Sequence, residues 1–235
     1  MLSIRDLHVR FGQAHILQGV SLDLDLKPFA LVGRNGMGKT TLCKTIMGMV
    51  KASEGDISLN GTPIHGLSSN RICRHGIAIV PQGRRVFPSL SVDEHLRLVS
   101  QGKNVPWTVE RTYETFPRLA ERKKNGGAQL SGGEQQMLAI ARALLLNPKL
   151  IIMDEPSEGL APVIVDHLIE VLKHLSAEGM GLLLVEQNLH VATEVAETVS
   201  VMLTGRITAT LPSAQLSEDE ELQRRYLGVS VHGHH

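Results

Sequence analysis

Gly33-Arg34-Asn35-Gly36-Met37-Gly38-Lys39-Thr40-Thr41 decides the fold of this 235-residue chain. The stretch fits G-x-x-x-x-G-K-[ST], with Gly33 and Gly38 as the fixed glycines. Before it, Phe29-Ala30-Leu31-Val32 is a short apolar run that reads as a strand. After it, residues 42–49 carry helical spacing. Strand, glycine-rich loop and helix is the context that lifts the motif above a chance match. Glycines let the backbone curl so that successive N–H groups converge on an anion. The helix start adds unsatisfied N–H groups and a positive dipole end. Lys39 offers a compact charge to β- and γ-phosphates, and Thr40 offers a hydroxyl to Mg²⁺. The plain alternative is a glycine-rich turn that only caps a helix.

On the N-terminal side, residues 2–11 and 15–26 alternate apolar and polar side chains, as in Val20-Ser21-Leu22-Asp23-Leu24-Asp25-Leu26. That period predicts an antiparallel sheet with one wet face. On the C-terminal side, residues 55–61 and 77–80 read as strands, the second ending at Pro81-Gln82-Gly83. Residues 84–130 change character, with helical patterns at 92–99 and 108–116 joined by a polar stretch holding Gly102 and Pro106. A long helix follows Ser131 to about residue 146, stopped by Asn147-Pro148. Strands at 150–153, 182–185, 199–203 and 206–211 alternate with helices at 163–177 and 191–196. Strand–helix alternation predicts a parallel sheet covered on both faces.

The expected organisation is therefore one α/β domain over residues 1–235. It divides into an antiparallel β subdomain (1–30), a core (31–83 and 147–211), an inserted α-helical subdomain (84–146) and a C-terminal helix and tail (212–235). No internal repeat is found, and the tail after Tyr226 reads as short and mobile.

Composition narrows the function. Lysine plus arginine equals aspartate plus glutamate, 24 each, so nothing calls for nucleic acid or an anionic membrane. Hydrophobic content of 42% suits an ordinary globular protein with a sizeable core. Arg5 and Asp6 interrupt the N-terminus before a signal-peptide pattern forms. No apolar run approaches the roughly 20 residues that span a bilayer. Cys43 and Cys73 are too few for a disulfide framework or a zinc site. Cytosolic residence is the default expectation.

Two further stretches carry chemistry. Leu150-Ile151-Ile152-Met153 ends in Asp154-Glu155. Ligands of an open α/β sheet bind beyond the carboxyl ends of its strands, so both carboxylates are expected to face the phosphate loop. Asp154 would hold Mg²⁺, and Glu155 would orient or deprotonate a water for in-line attack. Leu130-Ser131-Gly132-Gly133-Glu134-Gln135 opens a helix. Ser131 is a good N-cap, and two glycines with free N–H groups can meet a phosphate. A plain helix start is the alternative there.

The phosphate loop, Gln82, LSGGEQQ and IIMDEP, in this order and spacing, resemble the P-loop nucleotide-binding subunit of ABC transporters over nearly the whole chain. A closer likeness is to the branched-chain amino-acid importer ATPase. It rests on Val80-Pro81-Gln82-Gly83-Arg84-Arg85-Val86-Phe87-Pro88, on Phe116-Pro117-Arg118-Leu119, and on Asp154-Glu155-Pro156-Ser157-Glu158-Gly159-Leu160-Ala161-Pro162. The urea or short-chain amide importer ATPase shares much of this. Arg34 and Gly126-Gly127 lean toward that sister, while Met137 and SEGLAP lean away.

The resemblance implies that Phe11 stacks on adenine, with a core or strand-end anchor as the alternative. It implies that Gln82 senses the γ-phosphate and Mg²⁺ and couples to the helical lobe. It implies a head-to-tail dimer in which Ser131, Gly132 and Gly133 contact the ATP on a partner's phosphate loop. Two positions depart from the wider family: Ala161 stands where an aspartate is usual, and Gln187 where most relatives have a switch histidine. The branched-chain group itself often has glutamine there. An amide can donate a hydrogen bond to a γ-phosphate oxygen but cannot become charged.

The expectation is thus an ATP- and Mg²⁺-dependent subunit of an importer for branched-chain or related hydrophobic amino acids. It would sit peripherally on the cytoplasmic face of the membrane, with permease subunits, a second ATPase chain and, indirectly, a periplasmic binding protein as partners. A urea or amide importer, an exporter and a soluble ATPase of DNA repair or the ribosome are the rivals. His232, His234 and His235 read as a solvated tail or a metal site, and Arg84 and Arg85 as a permease contact, solvated side chains or an anion patch.

Overall fold

The early alternation becomes a bulged hairpin. In the computed structural model, which describes residues 2–227, β1 (Leu2–Phe11) pairs antiparallel with β2 (Ala14–Leu24). His232, His234, His235 and nearly all of the expected tail lie outside the described residues. Leu2 and Ile4 are out of phase with Leu7 and Val9, yet all four are buried. The register shifts between Ile4 and Leu7, where Asp6 turns to a φ of 43°. A bulge of this kind restores the inward phase. Gly55 is the neighbour that permits it, because a Cβ there would stand 2.3 Å from the Asp6 carbonyl oxygen.

The chain crosses to a second sheet as β3 (Phe29–Val32), passes the glycine-rich loop and enters α1 (Lys39–Ile46). It then returns: β4 (Glu54–Leu59) pairs with the free side of β1, and β5 (Thr62–Pro63) with β4. The antiparallel sheet, ordered β2-β1-β4-β5, therefore reaches beyond residues 1–30 into a stretch expected in the core. Period-2 alternation marks a strand but not the sheet that accepts it.

After α2 (Ser69–Arg74) comes β6 (Ile77–Val80), then a helical lobe of α3 (Val92–Val99), α4 (Val109–Thr115), α5 (Pro117–Glu121) and α6 (Gly132–Leu144). Each start follows local chemistry. Ser91 with Glu94, and Ser131 with Glu134, form capping boxes; Thr108 caps α4, and a proline opens α5. Asn147 stops the helical run at a φ of 52° and accepts the Trp107 N–H at 2.7 Å, tying the lobe to the core. The chain finishes with β7 (Leu150–Asp154), α7 (Pro162–Ala177), β8 (Gly181–Glu186), α8 (Leu189–Val195), β9 (Thr198–Leu203), β10 (Arg206–Pro212), α9 (Ser213–Glu218) and α10 (Glu220–Leu227).

The second sheet is ordered β10-β9-β3-β8-β7-β6, parallel except for the β10 edge. Every residue of β7 and β8 is buried. Ile151 and Met153 pack with the helical lobe and α7, whereas Leu150 and Ile152 pack with α1 and the antiparallel sheet. The six strands are thus covered on both faces, as a continuous apolar run requires. The C-terminal ends of β3, β6, β7 and β8 emerge along one edge, and the functional residues gather there.

Candidate functional site

The loop between β3 and α1 is shaped from within and pinned from outside. Gly36 and Gly38 take φ of 80° and 102°, which residues with a Cβ rarely adopt. Gly33 has no room for a side chain, since a Cβ would lie 2.5 Å from the Met202 carbonyl oxygen. Gly205 donates its N–H to the Met37 carbonyl at 3.0 Å, and Thr204 donates to Met37 Sδ at 3.2 Å, so the β9–β10 turn anchors the loop. Thr41 continues α1, and Asn35 lies exposed at the bend.

Lys39 is buried at 3% exposure with its charge aimed into this loop. Its Nζ donates to the Gly33 carbonyl at 2.6 Å and the Arg34 carbonyl at 3.1 Å. It also pairs with Glu155 Oε1 at 3.0 Å. A buried cation held by two carbonyls and one acid is a ready partner for phosphate oxygens. Thr40 donates its hydroxyl to Asp154 Oδ1 at 3.1 Å. Burial raises the Asp154 carboxyl above the ordinary range, against the pull of the Thr40 hydrogen bond and the nearby Lys39 charge. Glu155 itself sits at a φ of 51°, with its N–H donated to the Val185 carbonyl at 2.8 Å. Non-glycine residues held left-handed concentrate where function over-determines the backbone.

Gln82, at the end of β6, closes the far wall. Its amide donates to Glu158 Oε2 at 2.9 Å and to Glu155 Oε2 at 3.3 Å. A cleft of about 410 Å³ results, lined by Ile16, Asn35, Gly36, Gly38, Lys39, Thr40, Thr41, Gln82 and Glu155. Thr40 and Asp154 are a hydroxyl and a carboxylate within hydrogen-bond reach, the hard oxygen donors that Mg²⁺ selects. Among the described residues no group of three or more His, Cys, Asp or Glu gathers to hold a metal. The pair fits a Mg²⁺ whose remaining shell is phosphate oxygens and water, the usual division for that ion.

The structure brings together Lys39, Thr40, Gln82, Asp154 and Glu155. Asn35, Gly36, Gly38 and Thr41 line the same cleft, whereas Phe11, Gln187 and the Ser131 motif do not. Phe11 stands half-exposed at the end of β1. Gln187 is exposed just beyond β8. Ser131, Gly132 and Gly133 open α6 and do not line the phosphate cleft. Ser131 accepts the Glu134 N–H at 3.2 Å, while Glu134 accepts the Ser131 N–H at 2.8 Å. Both glycines also answer to packing: a Cβ would lie 2.6 Å from Arg84 Nη1 at Gly132 and 2.7 Å from Ile164 Cγ2 at Gly133.

Three further residues shape the site. Arg84, at a φ of 60°, reaches the Glu158 and Gly159 carbonyls at 3.2 and 3.3 Å. Glu158 receives Gln82. Glu186 is buried at 2% exposure and accepts three backbone N–H groups. Arg84 and Glu158 stand within the strings quoted above without these contacts being readable from them, and Glu186 is the single acid ending an all-apolar strand, which is also the pattern of Asp154.

A phosphate loop on one parallel strand, opposite two carboxylates on another, can hold a triphosphate and direct a water at it. Comparison with known proteins gives that chemistry its class. The family described as ABC transporter matches residues 17–158. BraG of Pseudomonas aeruginosa, a high-affinity branched-chain amino acid transport ATP-binding protein, is 39% identical over 97% of this chain and 100% of its own. LptB of Haemophilus influenzae, a lipopolysaccharide export system ATP-binding protein, is 32% identical over 97% of each. A nucleotide-free ATP-binding cassette from an ABC transporter superposes with a TM-score of 0.83 at 25% identity, over 94% of this chain and 96% of that one. The chain belongs to the ABC transporter family, as its ATP-binding and ATP-hydrolysing subunit.

Proposed function

We propose that this subunit energises uptake of branched-chain or related hydrophobic amino acids. The observation that carries the reading is the 39% identity with a branched-chain transport ATPase over essentially both full lengths. Lipopolysaccharide export relatives at 30–32% identity favour an exporter as the second reading. A urea or short-chain amide importer is a third reading, and a soluble ATPase the least supported. No helix among the described residues is long and apolar enough to cross a membrane. The solute path therefore belongs to permease subunits, and this chain docks on their cytoplasmic side. A binding protein outside the membrane would deliver the solute.

In the proposed mechanism Phe11 stacks on adenine and residues 33–41 wrap the phosphates with backbone N–H groups. Lys39 exchanges its contacts to the Gly33 and Arg34 carbonyls for β- and γ-phosphate oxygens. Thr40, Asp154 and Gln82 would hold Mg²⁺, which would supply charge neutralisation to the phosphates. Glu155, freed from Lys39, orients the attacking water and accepts its proton. Gln187 donates a neutral hydrogen bond to the γ-phosphate. Ser131, Gly132 and Gly133, outside the chain's own cleft, complete the site of a second ATPase chain. The Gln82–Glu155 contact links that chemistry to the helical lobe.

Uptake of labelled leucine into cells carrying the complete transporter tests the solute. Lys39→Ala in this chain should abolish uptake, and unlabelled isoleucine or valine should compete in the parent. Uptake that persists in Lys39→Ala, or parent uptake that only urea or an amide competes away, contradicts the assignment.

A further inference from the structure

The strand ends of β7 and β8 are joined by a carboxylate that the chemistry above does not use. Glu186 is the last residue of β8 and is buried at 2% exposure. Its Oε1 accepts the Ser157 N–H at 3.0 Å. Its Oε2 accepts the N–H groups of Gln187 at 3.1 Å and Asn188 at 3.2 Å. One side chain therefore grips two loops. The first leaves β7 through Glu155 and Ser157, and the second carries Gln187.

Burial raises the Glu186 carboxyl above its ordinary range, and its hydrogen bonds to both loops act in the opposite sense. A buried carboxylate needs such donors, and three backbone amides supply them at fixed positions. The first loop is also tied to β8 itself, where the Glu155 N–H reaches the Val185 carbonyl at 2.8 Å. That bond and the Glu186 clip together brace the left-handed backbone of Glu155. These three bonds all run to peptide N–H groups of the two loops, so the clip acts through the backbone.

We propose that Glu186 is a positioning residue for ATP hydrolysis: it sets the Glu155 and Gln187 loops at one fixed separation. The proposal rests on the roles given above to Glu155 and Gln187. Glutamine at this position has one acceptor oxygen. It can serve Gln187 and Asn188 or Ser157, and it turns an NH₂ toward the donors it fails to serve. Glu186→Gln thus opens the clip while keeping size and shape.

Steady-state turnover, nucleotide affinity and amide exchange on the purified chain test it. In Glu186→Gln, kcat should fall by about tenfold or more while KM and ATP affinity stay within about twofold. Amides of Glu155, of 157–159 and of 187–190 should exchange about tenfold faster, with the rest of the sheet unchanged. Combined with Gln187→Ala, the loss should be less than the product of the two single losses. Parent exchange in both loops overturns the proposal. So does a joint collapse of turnover, nucleotide binding and Tm, which marks a residue that only holds the fold. Parent turnover in Gln187→Ala would overturn the role given to Gln187. Faster exchange of both loops in Glu186→Gln would still uphold the clip.

Discussion

Lys39 shows how a residue can be legible in type and not in company. The motif identifies its charge as a phosphate ligand, and its burial and aim agree with that. Its 3.0 Å pair with Glu155 joins residues 116 positions apart, and no spacing rule reports it. The same holds for Gln82 on Glu158 and for Glu186 on Ser157. Gln187 was legible because it stands in a recognisable string. Its consequence is measurable. A neutral donor lost at a phosphoryl transition state costs on the order of 10²-fold in rate, by analogy with oxyanion-hole donors. Gln187→Ala should lower kcat by about that factor while ATP affinity changes little. Gln187→His should stay active and gain an inflection between about pH 6 and 7 in its rate profile, where an imidazole titrates. The partner chain in such assays carries its own inactivating substitution, so that it cannot mask the loss. Parent turnover in Gln187→Ala would show that the residue is a bystander.

At the scale of elements, long periodic segments were readable and short ones were not. The helices of α6 and α7 run 13 and 16 residues and show their period openly. Helices α2, α5 and α9 have five or six residues, too few for a 3.6-residue period to declare itself. The segment between Gln82 and α3 has no period at all, and a buried histidine shapes it. His95 on α3 is fully buried. Its Nδ1 meets the Ser91 carbonyl at 2.8 Å, and its Nε2 accepts the Phe87 N–H at 2.9 Å. A neutral ring satisfies both bonds, and its plane stacks on Phe87. Burial, the largest cause, lowers the His95 pKa below 6.5, with Arg142 adding to it and the Ser91 carbonyl and Glu94 opposing. The unfolded chain then holds more protons than the folded one as pH falls below about 6.5, so stability drops with acid in that window. His95→Gln should lower Tm at pH 7.5 by several degrees, for a loss of about 1–2 kcal/mol in hydrogen bonding and packing. It should also flatten the fall in Tm between pH 7.5 and 5.5. Equal slopes in thermal melts of parent and variant would contradict this account.

At the scale of the molecule, strand–helix alternation was enough to foresee a parallel sheet covered on both faces. The order β10-β9-β3-β8-β7-β6 was not legible, because adjacency is fixed by which faces pack and not by sequence order. Nor was the return of β4 to the first sheet. The cleft contains phosphate-loop residues, Gln82 and Glu155 but none of the Ser131 motif, which the proposed function assigns to a partner's site. Specific turnover of the isolated subunit should therefore fall on dilution as dimers dissociate. A turnover independent of concentration, at dilutions where light scattering shows monomer, would contradict a shared site.

The most direct measurement is made on Glu155→Gln. The amide keeps the size of Glu155 but cannot take a proton from water or fully balance Lys39. The purified variant, incubated with ATP and Mg²⁺ and run on a size-exclusion column, should elute as a dimer carrying unhydrolysed ATP. Its turnover should be down by about 10²-fold or more, the scale of losing a general base. Hydrolysis at the parent rate, or bound ATP on a chain that stays monomeric, would contradict the account.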